Sequence, residues 1–282
     1  MRIGVVAPSS RFPEESARRV EALAARVAPD AALHFHPQCF LRHNHFAGTD
    51  AARADAFVEF ANDPGFDALW FARGGYGACR IAESVLARLG PAARAKAYLG
   101  YSDAGFLLAG LYRAGFARVA HGPMPQDVAR DGGEAAVARA LAWLVRGDRD
   151  ALDPAIAPGL PHAAFNITVL GHLIGTGLQP DLAGHVLMLE EVSEHMYRTD
   201  RAMFHITSND GVRQAAGIRL GRCSDVQPND PDFGESEEEV VRHWCARAGI
   251  PYLGRCDIGH DAGNRVVPFG PAPQALSGAV AS

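Results

Sequence analysis

The sequence predicts an α/β protein. Its first half should form a parallel sheet with helices on both faces, and its second half a smaller mixed α/β, β-rich domain. Three observations carry this. The chain has 282 residues, which at ~150 residues per domain makes two units rather than one. From residue 3 to residue 146, short apolar runs alternate with amphipathic stretches of helical period, the pattern of strands joined by crossover helices. Residues 147–163 then hold three prolines and two glycines without an apolar period, as a linker does. The expected domains are therefore 1–146 and 164–282, joined by 147–163.

The first strand is the apolar run 3–7, stopped by Pro8-Ser9-Ser10. A helix over 13–27 follows, with Val20, Leu23, Ala24 and Val27 on one face. A strand at 32–35, a helix at 51–60 capped by Thr49 or Asp50, and a strand at 68–72 repeat the unit. Gly74-Gly75-Tyr76-Gly77 opens a helix over 78–89. A strand at 97–101, a helix at 104–114, a short strand at 117–120 ending in His121-Gly122-Pro123-Met124, and a helix at 134–146 complete the half. Beyond the linker the pattern predicts a helix at 169–174, a strand at 185–189, a helix at 198–207, and strands at 217–222 and 252–258. Ser236 with Glu239 is a capping box for a helix reaching 248, so the glutamates there are structural. The tail 270–282 is small and rich in proline and alanine.

Composition excludes several function classes. Hydrophobic residues make up 48% of the chain, charged residues 21%, and the net charge is -5, which describes a soluble globular protein without a nucleic-acid partner. Of 27 basic side chains only Lys96 is a lysine, and alanines flank it, so no phosphate-binding P-loop exists. The N-terminal apolar run is too short for a signal peptide, and no stretch reaches the ~18 apolar residues of a membrane span. Five cysteines without C-x-x-C spacing read as reduced thiols in a cytoplasm. His34, His36, Cys39, His43 and His45 lie close together but match no zinc spacing.

The chemistry-bearing candidates follow from the strand ends. Gly100-Tyr101-Ser102-Asp103-Ala104 turns from strand to helix at the carboxyl edge of the sheet, where open α/β folds place their sites. Ser102 is thus a candidate nucleophile, or else a helix cap. A serine needs a base. Lys96 lies six residues back along the strand, roughly 20 Å away, which leaves histidine. His260, bracketed by Gly259 and Gly263, sits in a loop after a short strand. For the orienting acid, the strand at 185–189 delivers Glu190-Glu191, of which one carboxylate can face a site while its neighbour points away. The glycine run 74–77 offers backbone N–H groups to an anion or an oxyanion. It lacks G-x-G-x-x-G, so a dinucleotide fingerprint is absent.

These motifs, in this order and spacing, resemble the serine LD-carboxypeptidases, a family that includes the microcin C immunity peptidases. The resemblance runs from Ile3-Gly4-Val5-Val6-Ala7-Pro8-Ser9 through Ala47-Gly48-Thr49-Asp50 with Arg53 and Ala72-Arg73-Gly74-Gly75-Tyr76-Gly77-Ala78 with Arg80. It continues through Gly100-Tyr101-Ser102-Asp103, His121-Gly122-Pro123-Met124, and Leu189-Glu190-Glu191-Val192 with Glu194, Tyr197 and Asp200-Arg201, to Gly259-His260, Asn264 and Pro268-Phe269-Gly270. It implies a Rossmann-like N-terminal domain bearing the nucleophile Ser102 and a C-terminal domain bearing the acid Glu190 and the base His260. The backbone N–H groups of Gly75 and Asp103 are the implied oxyanion hole. The family is cytoplasmic, dimeric and independent of metals or cofactors. It acts on small peptides, releasing the terminal D-alanine of murein tetrapeptides in peptidoglycan recycling, or in the immunity branch on a peptidyl adenylate analogue. Three departures bear on substrate identity: Glu191 for a common aspartate, Ala104 for a hydroxyl residue, and Phe165-Asn166-Ile167-Thr168 for Gly-Asn-Leu-Ser. The rival readings are an α/β-hydrolase esterase, which shares the order Ser, Glu, His, and a non-catalytic binding domain.

Overall fold

The computed structural model describes residues 1–271; of the tail read from sequence at 270–282, residues 272–282 lie outside them. The elements in order are β1 (Arg2–Val6), α1 (Glu14–Val27), β2 (Ala32–Phe35), α2 (Asp50–Asn62), β3 (Ala68–Phe71), α3 (Ala78–Leu86), α4 (Pro91–Arg94), β4 (Ala97–Gly100), α5 (Gly105–Arg113), β5 (Val119–His121) and α6 (Gly133–Arg146). The second half continues with β6 (Pro161–Asn166), α7 (Ile167–Leu173), β7 (Val186–Val192), α8 (Met196–Ser208), α9 (Asp210–Arg213), β8 (Gly217–Ser224), α10 (Glu237–Ala248), β9 (Tyr252–Arg255), β10 (Val267–Pro268) and β11 (Gly270–Pro271).

The first sheet has the order β10-β5-β4-β3-β1-β2, with β1 to β5 parallel, a doubly wound arrangement whose direction of winding reverses at β1. Apolar residues of α1 and α6 (Val20, Leu23, Val137, Leu141) cover one face against Trp70 and Leu99. Those of α2, α3 and α5 (Phe57, Ile81, Leu107) cover the other against Leu69 and Phe71. This second cluster runs on into Phe165, Leu187 and Val240, so the two halves share apolar core.

The second sheet has the order β11-β6-β7-β8-β9 with β6 to β9 parallel. Its first strand starts inside the expected linker, whose residues 147–160 are otherwise irregular apart from a 3₁₀ turn at Arg149–Ala151. The sequence pattern does not predict that strand, because Pro161-His162-Ala163-Ala164-Phe165-Asn166 has neither alternation nor a β-branched run. The expected strand at 252–258 stops at Arg255, and the expected helix at 78–89 ends at Leu86 before a separate turn of helix at Pro91. Residues 267–271 tie the halves together. Val267–Pro268 pairs antiparallel with β5 of the first sheet, and two residues later Gly270–Pro271 pairs antiparallel with β6 of the second.

One buried cation fixes the loops above β1 and β3. Arg53 of α2 is fully buried; it donates to the carbonyls of Pro8 and Gly77, pairs with Asp50, and lies 4.7 Å from the Phe46 ring centroid. Removing it strands two buried carbonyls at about 1–3 kcal/mol each. Arg53→Ala is therefore expected to lower unfolding stability by roughly 2–5 kcal/mol in chemical denaturation. A loss below about 1 kcal/mol would contradict this role.

Candidate active site

The loops after β1, β3 and β4 meet above the carboxyl ends of adjacent strands, at the point where the winding reverses. Gly100 ends β4 against Phe71, where a Cβ would come within 2.7 Å of the ring. Two residues on, Ser102 has φ +59°, a left-handed conformation rare outside glycine, before a 3₁₀ turn over Ser102–Ala104 leads into α5. The sharp turn presents the hydroxyl at the sheet edge, as a strand-to-helix nucleophile turn does. Gly74 lies against it: a Cβ there would stand 2.9 Å from Ser102 Cβ and 3.5 Å from the Asp103 N. Gly75, at φ +104°, would place a Cβ 2.2 Å from Ser10 Oγ, so no side chain fits beside the serine.

Ser102, His260 and Glu190 form one hydrogen-bonded chain. His260 Nε2 is 3.0 Å from Ser102 Oγ, and His260 Nδ1 is 2.6 Å from Glu190 Oε2. Because the carboxylate only accepts, Nδ1 carries the proton and Nε2 is left to accept from the serine. Glu190 is fully buried at the end of β7, and its Oε1 has no partner among the described residues. Burial pushes the His260 pKa down, but the charge and hydrogen bond of Glu190 together outweigh it, so the imidazole titrates above its ordinary value.

The neighbouring carboxylate has a different occupation. Glu191, also buried, accepts from Asn166 Nδ2 (2.6 Å), Thr168 N (2.8 Å) and Thr168 Oγ1 (2.7 Å), which fastens β7 to the start of α7. Burial first, and the Glu190 charge second, raise its pKa. The expectation that the neighbour points away from the site does not describe Glu191: both carboxylates are buried, Glu190 toward His260, while Glu191 borders the cavity on the other side of Ser102.

The glycine run differs from expectation in one respect. The Asp103 carboxylate accepts from the Ser9 hydroxyl and from Ala78 N at 2.8 Å, filling the start of α3 from within. An anion from outside finds that helix end occupied. Lys96 sits far from this chemistry: its ammonium donates to the carbonyls of Asp63 and Phe66, each at 2.6 Å, at the opposite end of β4. The clustered histidines are used separately. His36 Nδ1 accepts from Gln38 N, Cys39 donates to Val5 O, and His45 contacts Ser10. No group of three or more metal-ligating side chains is gathered among the described residues.

Sequence reading missed the groups that hold His260. The Tyr101 ring packs 4.8 Å from the imidazole centroid, and its hydroxyl donates to Asp127 Oδ1 at 2.7 Å. Asp127 also accepts from Met124 N (2.8 Å) and Arg130 Nε (2.9 Å). Asn264 Oδ1 accepts from Gly259 N at 3.3 Å and lies 3.2 Å from His121 Nε2, fixing the loop that carries His260. Burial depresses the His121 pKa to about 4, so no second imidazolium competes beside His260. The sequence cue for Asp127 was its position three residues after Met124, where an acid closes a capping box.

Two cavities meet at Ser102. One, of about 460 Å³, is bounded by His260, Gly75, Gln126, Asp127 and Arg130. The other, of about 370 Å³, is bounded by Asp103, Phe106, Asn166, Thr168, Glu191 and Glu194. A hydroxyl, an imidazole and a carboxylate linked in this way can move a proton from the hydroxyl to the imidazole and on to a leaving group.

Comparison with known proteins agrees in extent with this two-part build. Residues 3–122 match the LD-carboxypeptidase N-terminal domain, and residues 163–273 match the LD-carboxypeptidase C-terminal domain. The murein tetrapeptide carboxypeptidase of Pseudomonas aeruginosa is 27% identical over 295 residues, covering 95% of this chain and 91% of its own. A Streptomyces coelicolor chain named as a carboxypeptidase is 30% identical over 285 residues, covering 95% and 88%. Among solved structures, the muramoyltetrapeptide carboxypeptidase of Oxalobacter formigenes superposes with a TM-score of 0.75 at 22% identity, covering 96% of this chain and 93% of that one. The microcin C7 self-immunity protein MccF bound to aspartyl sulfamoyl adenosine gives 0.77 at 18% identity, covering 95% and 91%. These two likenesses concern the fold.

Proposed function

The chain belongs to the LD-carboxypeptidase family, and from that premise we propose that it is a serine carboxypeptidase hydrolysing the amide between an L-centre and a terminal D-amino acid, with D-alanine of a murein tetrapeptide as the released residue. The observation that carries the reading is the unbroken chain Ser102–His260–Glu190 opening on two cavities. In the proposed mechanism His260 Nε2 removes the Ser102 proton as Oγ attacks the carbonyl carbon. The tetrahedral oxyanion lies between the N–H groups of Gly75 and Asp103. Collapse breaks the C–N bond, and the imidazolium returns its proton to the departing amine. Water then enters, gives a proton to His260 and attacks the acyl-enzyme, releasing the acid and restoring Ser102. Glu190 holds the Nδ1–H tautomer and stabilises the imidazolium. We place the domain division where the sequence put it, around 147–163, so that nucleophile and base come from different halves. The five cysteines are unpaired thiols, which supports a reducing cytoplasm. No helix among the described residues is long and apolar enough to cross a membrane. The homodimer implied by the family is tested by sedimentation.

Mass spectrometry of muropeptides tests the activity: loss of one terminal D-alanine from the tetrapeptide is the expected result, and an unchanged tetrapeptide beside turnover of a simple ester would overturn it. The pH profile tests the base. His260 must be neutral to act, and its pKa lies above the ordinary histidine value. The rate should therefore rise with pH, and the acid limb of kcat/KM should have its midpoint above ~6.5. A midpoint below that value would contradict the Glu190 contribution.

A further inference from the structure

In the reaction proposed above His260 has two tasks: it takes the Ser102 proton and then gives one to the leaving nitrogen. The departing amine must therefore lie on the His260 side of Ser102. Of the two cavities meeting at the serine, the one lined by His260 also carries Gln126, Asp127 and Arg130, whereas the one lined by Asp103, Asn166 and Glu191 does not include the histidine. The first is thus the cavity of the released D-amino acid, and the second receives the acyl portion.

A terminal residue differs from an internal one by its free carboxylate. A carboxylate entering a cleft between protein walls needs a cation or several N–H donors to replace its water. Two arginines line the His260 cavity. Arg73 donates to the Arg11 carbonyl at 3.1 Å, across the β1 loop. Arg130 is placed differently. Its Nε donates to Asp127 Oδ1, and the same carboxylate holds Tyr101, whose ring packs on His260. Asp127 already accepts from Tyr101, Met124 and Arg130, and it is the only carboxylate paired with Arg130 among the described residues. A guanidinium has five N–H donors in a planar fork, so Arg130 retains donors for a second carboxylate. In the same cavity Gln126 has a buried Oε1 without a partner among the described residues, an acceptor that awaits a donor.

We propose that Arg130, oriented by Asp127, binds the free carboxylate of the departing D-amino acid and so restricts the enzyme to chain ends, with Gln126 as the further polar group of that pocket. The assignment rests on the carboxypeptidase reading and adds to it the group that selects a terminus. Through Asp127 and Tyr101 the carboxylate is held in register with His260, so a residue longer or shorter at that end would misplace the scissile nitrogen.

The test uses an L,D-tetrapeptide with a free C-terminus and the same peptide ending in D-alaninamide, given to wild type, Arg130→Gln and Arg130→Lys. Wild type should prefer the free acid by roughly 10- to 100-fold in kcat/KM. Arg130→Gln should bring this preference close to one, with the loss on the acid carried mainly by KM, and Arg130→Lys should restore part of it. Arg130→Gln retaining the wild-type preference would overturn the assignment while leaving the activity standing. Release of neither D-alanine nor D-alaninamide by wild type would overturn the proposed function and this assignment together. Because Arg130 is exposed at the cavity rim, its variants should melt within a few degrees of wild type.

Discussion

Ser102→Ala is expected to lower release of the terminal D-amino acid on the order of 10⁶-fold, the scale seen when the nucleophile of a serine hydrolase is removed. The change takes away one oxygen and its hydrogen bond to His260, and nothing else in the site depends on that atom. The left-handed turn at residue 102 persists, because alanine meets the same steric penalty as serine there. The variant should therefore fold, bind substrate and fail to react. A fluorophosphonate that labels Ser102 in wild type should leave Ser102→Ala unlabelled. Turnover within tenfold of wild type would sink the nucleophile assignment, whatever the fate of the labelling.

Glu190→Gln should cost about 10⁴-fold in kcat, since replacing a triad carboxylate by its amide lets the imidazole settle in the wrong tautomer. The physical reason is visible in the partners. Glu190 Oε2 accepts from His260 Nδ1, while Oε1 is buried without a donor. An amide turned to donate toward Nδ1 forces the proton onto Nε2, where it blocks acceptance from Ser102. The same variant moves the acid limb of the pH profile. Burial depresses the His260 pKa and Glu190 raises it; without that carboxylate the depression by burial, the largest single cause, prevails. The midpoint should shift to lower pH even as the maximal rate collapses, and an NMR titration of the imidazole should move the same way. A limb unmoved, or moved to higher pH, would show that Glu190 does not set the base.

Much of this site was legible in the chain because each piece is encoded locally. The strand-to-helix turn at Gly100–Ala104 shows as an apolar run followed by small and polar residues, and Glu190 shows as the acid delivered by a buried strand. The capping box at Ser236 and Glu239 needs only a three-residue spacing, and the structure has it. Resemblance to a family supplied the roles of Ser102, Glu190 and His260 together, which no local pattern could. Tyr101, Asp127 and Asn264 as supports of His260 went unread. Tyr101 meets Asp127 across 26 residues and Asn264 meets His121 across 143, and a buried Tyr–Asp hydrogen bond has no periodic signature.

The sequence by itself determined the alternation of strands and helices, the places where strands end in chemistry-bearing residues, and the exclusion of lysine as a base. Tertiary structure decided the convergence. His260 meets Ser102 across 158 residues and Glu190 across 70, and those approaches follow from which strands pair, a matter of summed burial over two sheets. Residues 267–271 decide the rest. Two-residue strands at Val267 and Gly270, invisible to any periodicity, join the first sheet to the second and anchor the far end of the loop that carries the base. The backbone partners of such short segments lie in strands remote in sequence, β5 for one and β6 for the other, so nothing local encodes them.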